Sequence, residues 1–230
     1  MPAFSAHEKY KHSLVIKFLD YYERSKQVDQ RYHNTQFVKY KSHETEIPRW
    51  YEGQKRFIEE WMTDIPKYAK ILDIACGDGV GLRYFRELGY ENVTGVEYEA
   101  SKQALASEYG YPVLALDMHK LGTIPDDSYD VVYSSHTIEH SYNPILVVEG
   151  IRRILKPGGK LVVVLPYPDA GPDDAHCGKF ALGTNNNDNA VSVRNFFFLN
   201  GFKIYEWKVD SFREPEVWLK MENAKDLGQA

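Results

Sequence analysis

Apolar positions along this chain fall into two alternating periods. Short continuous runs, Ile71 to Ile74, Val93 to Val96, Pro112 to Leu116, Tyr129 to Tyr133 and Lys160 to Leu165, are bounded by glycine, proline and acids and predict buried strands. Between them, Val80 to Leu88 and Pro144 to Leu155 carry apolar residues at helical spacing, and Lys156-Pro157-Gly158-Gly159 is expected to stop the second helix. Val191 to Leu199 predicts a further helix ending at Asn200-Gly201. The N-terminal stretch predicts helices at Leu14 to Tyr22 and Trp50 to Met62, the latter with Pro48 near its start and Pro66 after its end.

The densest information lies in Ile71 to Gly81, ILDIACGDGVG, where a buried run holding one acid leads into Gly77, Gly79 and Gly81. Glycine there permits positive φ and lets a ligand lie against bare main chain. The following helix aims its N-terminal amides at the same place. A dinucleotide turn reads G-x-G-x-x-G, whereas these glycines read G-x-G-x-G and stand four residues after Asp73. A carboxylate beside the loop suits a cationic ligand better than a pyrophosphate.

This stretch resembles motif I of the class I S-adenosylmethionine-dependent methyltransferases, and the resemblance continues in order to Pro166. Glu97 closes the second apolar run, where a carboxylate accepts from both ribose hydroxyls. Asp117-Met118 resembles the family's adenine site, with the acid accepting from the exocyclic amine and the thioether covering the ring. IRRILKPGGKLVVVLP, residues 151 to 166, is similar to the segment that follows the motifs in that family. The resemblance implies a Rossmann-like, doubly wound α/β fold. Its seven-stranded sheet is mostly parallel with the last strand antiparallel, and Phe202 to Val209 and Pro215 to Met221 form the closing hairpin. It implies S-adenosylmethionine as cofactor, S-adenosylhomocysteine as product, and a cofactor site at Asp73, Ala75, Cys76, Gly77, Gly79, Glu97, Tyr98, Asp117, Met118 and Ser134. Residues 1 to 66 are expected to be a helical cover, 67 to 223 the transferase domain and 224 to 230 a tail.

Composition narrows the partners. A chain of 230 residues, 43% hydrophobic, accommodates one α/β domain with an appendage. A formal charge of −5 with no long basic run argues against an extended nucleic-acid surface. Two cysteines make no disulfide framework and fit a reducing compartment. No apolar run reaches membrane-spanning length, and the first residues lack a signal-peptide core, so a soluble cytoplasmic protein is expected.

Methyl transfer from a sulfonium requires alignment, exclusion of water and a base when the acceptor is a hydroxyl. Three histidines stand where such a base is useful. His136 and His140 follow the fourth strand in SSHTIEH, and His176 lies in PYPDAGPDDAHCGKFALGTNNND, residues 166 to 188, expected as one long loop hinged at Gly171, Gly178 and Gly183. His176 is the first choice; His140 also reads as a residue that orients its loop, and His136 as a solvent-facing residue at the mouth.

His136-x-x-Glu139-His140 is also similar to the E-x-x-E-H metal motif of ubiquinone-biosynthesis O-methyltransferases and of small-RNA 2′-O-methyltransferases, the latter with a later histidine. His136 replaces the first acid. Displacement at a sulfonium needs no Lewis acid, so a divalent metal on His136, Glu139, His140 and His176 is not the favoured expectation. Arg213, in the turn between the last strands, reads as a solvated charge ahead of an acceptor ligand. A small polar acceptor is expected, with a hydroxyl of a sugar-like or other polyhydroxylated metabolite first. A small amine, and a silent cofactor-binding subunit, remain the alternatives.

Overall fold

The computed structural model describes residues 48–170 and 176–225. The helix expected at Leu14 to Tyr22, Gly171 and residues 226–230 lie outside them. The first described element is helix α1 (Pro48–Trp61), followed by β1 (Lys70–Ile74), α2 (Val80–Glu87), β2 (Asn92–Glu97), α3 (Ala100–Ser107) and β3 (Val113–Ala115). After them come β4 (Tyr129–Ser135), α4 (Pro144–Ile154), β5 (Leu155–Pro166), a short α5 (Lys179–Leu182), α6 (Val191–Leu199), β6 (Phe202–Asp210) and β7 (Glu216–Asn223). The strands form one seven-stranded sheet in the order β3-β2-β1-β4-β5-β7-β6. Pairing is parallel from β3 through β5, and β7 runs antiparallel to both neighbours. The order reverses between β1 and β4, the switch point beyond whose carboxyl ends open α/β sheets form their ligand crevice.

Alternation along each strand divides the core in two. Leu72 and Ile74 of β1 join Val132, Leu161, Val163 and Leu165 under α4 and α6. Ile71, Val131, Tyr133, Val162 and Val164 face the other side and pack on α1 and α2. Both faces are covered, so the central strands are apolar at every position but a few, and those few are polar for a reason.

The KPGG segment differs from its expected role. Helix α4 ends at Ile154, before Lys156, and KPGG lies inside β5, where the partners of Tyr129 and Val131 are Leu155 and Lys160. The surplus residues form a bulge, with Gly158 at φ +70°. Two residues of the expected C-terminal tail, Ala224 and Lys225, make contacts with the body of the sheet domain. Ala224 donates to the Gly201 carbonyl at 3.1 Å, and Lys225 Nζ reaches Asp127 Oδ1 at 2.6 Å.

Helix α1 shares the sheet's core. Phe57 lies 4.9 Å from Trp218 and 5.6 Å from Tyr133 between ring centroids, and Trp61 meets Trp218 edge-on at 5.8 Å. Phe57→Ala, at a position with no solvent exposure, should cost about 3–5 kcal/mol. Urea denaturation checks this, the midpoint falling with an unchanged slope.

Candidate active site

The glycine loop is held by three alternating left-handed residues: Ala75 at φ +50°, Gly77 at +59° and Gly79 at +91°. The first is an alanine, so the expected run of three strained glycines moves one step toward the N-terminus. Gly81 instead lies in the first turn of α2 and is glycine for want of space. A Cβ there would collide with Asp73 Oδ2 and stand 3.1 Å from Gln54 Nε2. At Gly79 a Cβ would meet the Ala106 Cα at 2.7 Å.

Asp73 ends β1 on the α1–α2 side of the sheet. It is 2% exposed, and its Oδ2 has no hydrogen-bond partner. Burial, reinforced by the charge of Glu97, holds its pKa well above the usual carboxylate range. The same surroundings push the Cys76 thiol up, so it is an inert packing residue. Glu97 closes the loop from β2. Its Oε2 accepts from the Gly77 amide at 2.9 Å and its Oε1 from the Glu99 amide at 2.8 Å, which leaves further lone pairs on each oxygen. At the end of β4, Ser134 is fully buried with its Oγ unpartnered, whereas Tyr98 is exposed at the rim.

Asp117 follows β3, and a network absent from the sequence reading ties it down. Its Oδ1 accepts from the His119 amide at 2.8 Å and lies 2.8 Å from His119 Nδ1. His119 Nε2 meets Ser141 Oγ at 2.7 Å, and the ring stacks on Tyr142 at 3.7 Å. Burial works to raise the Asp117 pKa, but the His119 hydrogen bonds outweigh it and the net shift is downward. Asp117 therefore stays an acceptor. Met118 is partly buried against the core beside it. The sequence signal for His119, Ser141 and Tyr142 was slight: two polar residues before the α4 cap, whose Asn143 Oδ1 accepts from the Leu146 amide at 3.2 Å.

The histidines converge on the far side of the crevice. His136 leaves β4 in the left-handed region at φ +49°, and Ile138–His140 form a 3-10 turn behind it. His136 is not solvent-facing, since its side chain is 9% exposed and its Nε2 lies 2.8 Å from Glu216 Oε2. Burial first, then the Arg213 charge, lowers its pKa to about 4. Neutral His136 therefore donates through Nε2 to the charged Glu216, and its Nδ1 faces Glu214 at 3.3 Å and Glu139 at 3.6 Å. Arg213 is likewise no solvated turn charge. It is buried, donates to Glu216 Oε2 at 3.1 and 2.8 Å, and lies where a Cβ on Gly53 would come within 2.9 Å.

His140 and His176 are ring neighbours, 4.8 Å apart and edge-on. His176 Nδ1 lies 2.8 Å from Asp169 Oδ2. Burial lowers the His176 pKa, but the Asp169 hydrogen bond and the charges of Glu139, Asp169 and Glu214 overcome it, and the net shift is upward. Glu139 is fully buried with neither oxygen hydrogen-bonded, and burial raises its pKa to about 8.

The segment after β5 is not one long loop in the described residues. Tyr167 Oη accepts from the amides of Asp188 and Ala190 at 2.8 and 2.6 Å, drawing the segment back on itself. The Gly178 amide donates to the Glu139 carbonyl at 2.7 Å, and the Cys177 thiol to the His140 carbonyl at 3.1 Å. Gly178 is thus a docking point, where a Cβ would stand 3.0 Å from the Glu139 and Ile138 carbonyls.

Comparison with known proteins agrees with this layout. A family described as methyltransferase domain matches residues 72–163. The phosphoethanolamine N-methyltransferase of Triticum aestivum is 28% identical over 117 residues, 49% of this chain and 23% of that protein. The tRNA U34 carboxymethyltransferase of Hydrogenovibrio crunogenus is 33% identical over 114 residues, 45% and 34% of the two chains. The matched region is thus about a quarter to a third of those relatives' length. A Thermotoga maritima structure described as an S-adenosylmethionine-dependent methyltransferase, possible histamine N-methyltransferase, shares the fold. Its TM-score is 0.61 at 17% identity, covering 86% of this chain and 98% of that one.

Because the folded pKa of Asp73 is raised, the native chain keeps a proton that the unfolded chain releases near pH 4, and stability falls as the pH rises above that value. Asp73→Asn should therefore gain stability relative to wild type between pH 4 and pH 8, measured by thermal unfolding of ligand-free protein. A difference that stays flat across that range counts against a raised Asp73 pKa.

Proposed function

We propose, from the premise that this chain belongs to the class I S-adenosylmethionine-dependent methyltransferases, that it transfers a methyl group from S-adenosylmethionine to a hydroxyl of a small polar acceptor. The orphaned, buried Oδ2 of Asp73 carries the cofactor half of this reading. A lone buried carboxylate oxygen under a bare glycine loop calls for a cationic donor, and the methionine ammonium is one. Glu97 keeps lone pairs for the ribose, Asp117 remains an acceptor for the adenine amine, and Met118 and Tyr98 flank the ring. Ala75, Cys76, Gly77 and Gly79 supply backbone, and Ser134 an unpartnered hydroxyl at the switch point. When bound, the cofactor supplies an electrophilic methyl whose sulfur leaves as a neutral thioether.

The acceptor half is the cluster of His140, His176 and Glu139. Its histidines receive the proton that a hydroxyl must lose, with Asp169 fixing the ring of His176. His136 is a positioning residue, clamped by Glu216 behind the cluster. A polyhydroxylated metabolite suits a wall this rich in hydrogen-bonding groups. A second reading, methylation of a small amine, is favoured by the likeness to the wheat enzyme. No described helix is long and apolar enough to cross a membrane. Cys76 and Cys177 are buried and not joined in a disulfide, which supports a reducing compartment such as the cytoplasm.

Calorimetry with S-adenosylhomocysteine tests the cofactor site. Glu97→Ala should weaken binding by about 1–3 kcal/mol, and a wild-type chain that binds NADH but not S-adenosylhomocysteine overturns the reading. Against a panel of small alcohols and amines, His176→Ala should lower kcat by about 10²- to 10⁴-fold with S-adenosylhomocysteine affinity retained. Undiminished turnover in that variant removes the acceptor-side assignment. Turnover confined to amines would select the second reading.

A further inference from the structure

We propose that His119 is a positioning residue: through Nδ1 it fixes which oxygen of Asp117 meets the cofactor's base, and so makes the site select a 6-amino purine over a 6-oxo one. The contact with the base rests on the function proposed above; the hydrogen-bonded chain behind it does not.

That chain joins the segment after β3 to the segment after β4, with β2 and β1 between them in the sheet. Asp117 Oδ1 engages both the His119 amide and His119 Nδ1, each at 2.8 Å. His119 Nε2 lies 2.7 Å from Ser141 Oγ, which itself accepts from the Asn143 amide at 3.0 Å. Ser141 is fully buried and the His119 side chain is 2% exposed, so bulk water completes no bond in the chain.

These contacts select one tautomer. A carboxylate only accepts, so Nδ1 carries the hydrogen that bonds Asp117. With the Asn143 amide donating to Ser141 Oγ, the hydroxyl's own hydrogen goes to Nε2. A hydrogen on Nε2 as well would leave that hydroxyl hydrogen without an acceptor among the described residues. Every donor from Asn143 to Asp117 then points the same way, and bonds so aligned strengthen one another. Tyr142 steadies the ring, stacked on it at 3.7 Å and 12°.

The consequence falls on Asp117, whose side chain is 25% exposed beside the buried ring. Two donors hold Oδ1, and no hydrogen bond reaches Oδ2 among the described residues, so Oδ2 is the oxygen left for a ligand. Burial works to raise the Asp117 pKa and the His119 bonds reverse it, which keeps Oδ2 an acceptor. An exocyclic amine supplies the donor that this oxygen lacks. A 6-oxo purine puts a carbonyl oxygen there, lone pair against lone pair, and fits only when the carboxyl turns to the ring N1–H or takes up a proton. The Nδ1 bond opposes both escapes.

Calorimetric titration of the full chain with S-adenosylhomocysteine and with its 6-oxo counterpart, S-inosylhomocysteine, tests the assignment. An asparagine amide reproduces the Nδ1 donor, and a glutamine amide reaches the place of Nε2. His119→Asn should therefore keep the wild-type preference for the amino base. His119→Gln and His119→Ala should weaken S-adenosylhomocysteine binding by about 3- to 10-fold and narrow the ratio of the two affinities by about 10-fold. A role confined to filling space or holding Ser141 predicts the opposite ranking, with glutamine better than asparagine. That ranking, or a ratio unchanged in all three variants, overturns the proposal and leaves the methyltransferase reading standing. A wild-type chain that binds neither compound overturns both. In the ligand-free wild type, nitrogen NMR of the His119 imidazole should show the hydrogen on Nδ1 and a bare Nε2, and the opposite tautomer overturns the proposal whatever the affinities.

Discussion

Asp73 is buried at the end of the central strand with an oxygen that nothing in the protein satisfies, and much of the architecture follows from tolerating it. The residue sits on β1, flanked by β2 and β4 and covered by α1 and α2. The glycine at position 81 exists to leave its carboxylate room. Glu97 adds a second carboxylate nearby, and its oxygens are spent first on closing the loop through the Gly77 amide. Burial and the neighbouring Glu97 charge both disfavour the charged form of Asp73, which is why its pKa lies above the usual carboxylate range.

A contrasting solution lies across the crevice. Arg213 lies beneath Gly53 of α1 and fixes Glu216, which fixes His136, which holds its backbone in the left-handed region at the exit of β4. Every polar atom named in that chain has a partner. Such a satisfied network is rigid, and it makes a firm floor for the residues in front of it. Helix α1 thus does more than cover the sheet: its Gly53 leaves room for Arg213, which holds Glu216 and through it His136.

In front of that network, Glu139 repeats the condition of Asp73, a fully buried carboxylate whose oxygens accept no hydrogen bond. The two places where buried carboxylate oxygens go unpartnered among the described residues are both on the open side of the sheet's switch point. By contrast, buried Glu97 and Glu216 have both oxygens hydrogen-bonded.

The strand and helix segments of the transferase unit were legible because burial on both faces of a sheet and on one face of a helix writes itself as a local period, and the glycine loop because positive φ and close approach restrict residue type locally. Asp73, Glu97 and Asp117, the acids proposed for the cofactor, stood out for the same reason, each lying at or close to the end of a strand. Gly81 and KPGG were visible as glycine but misassigned in role, since a collision with Asp73 and a bulge against β4 are properties of neighbouring strands. The link from His119 to Ser141, the burial of Arg213 and His136, and the docking of Gly178 on Glu139 were invisible, because each joins residues far apart in the chain and leaves no periodic trace. The sequence by itself determined which residues could carry charge, bend the chain or fill the core. Only tertiary packing decided which of those charges are satisfied and which are left waiting, because hydrogen-bond satisfaction is settled by what lies across the crevice and not by what lies beside it in sequence.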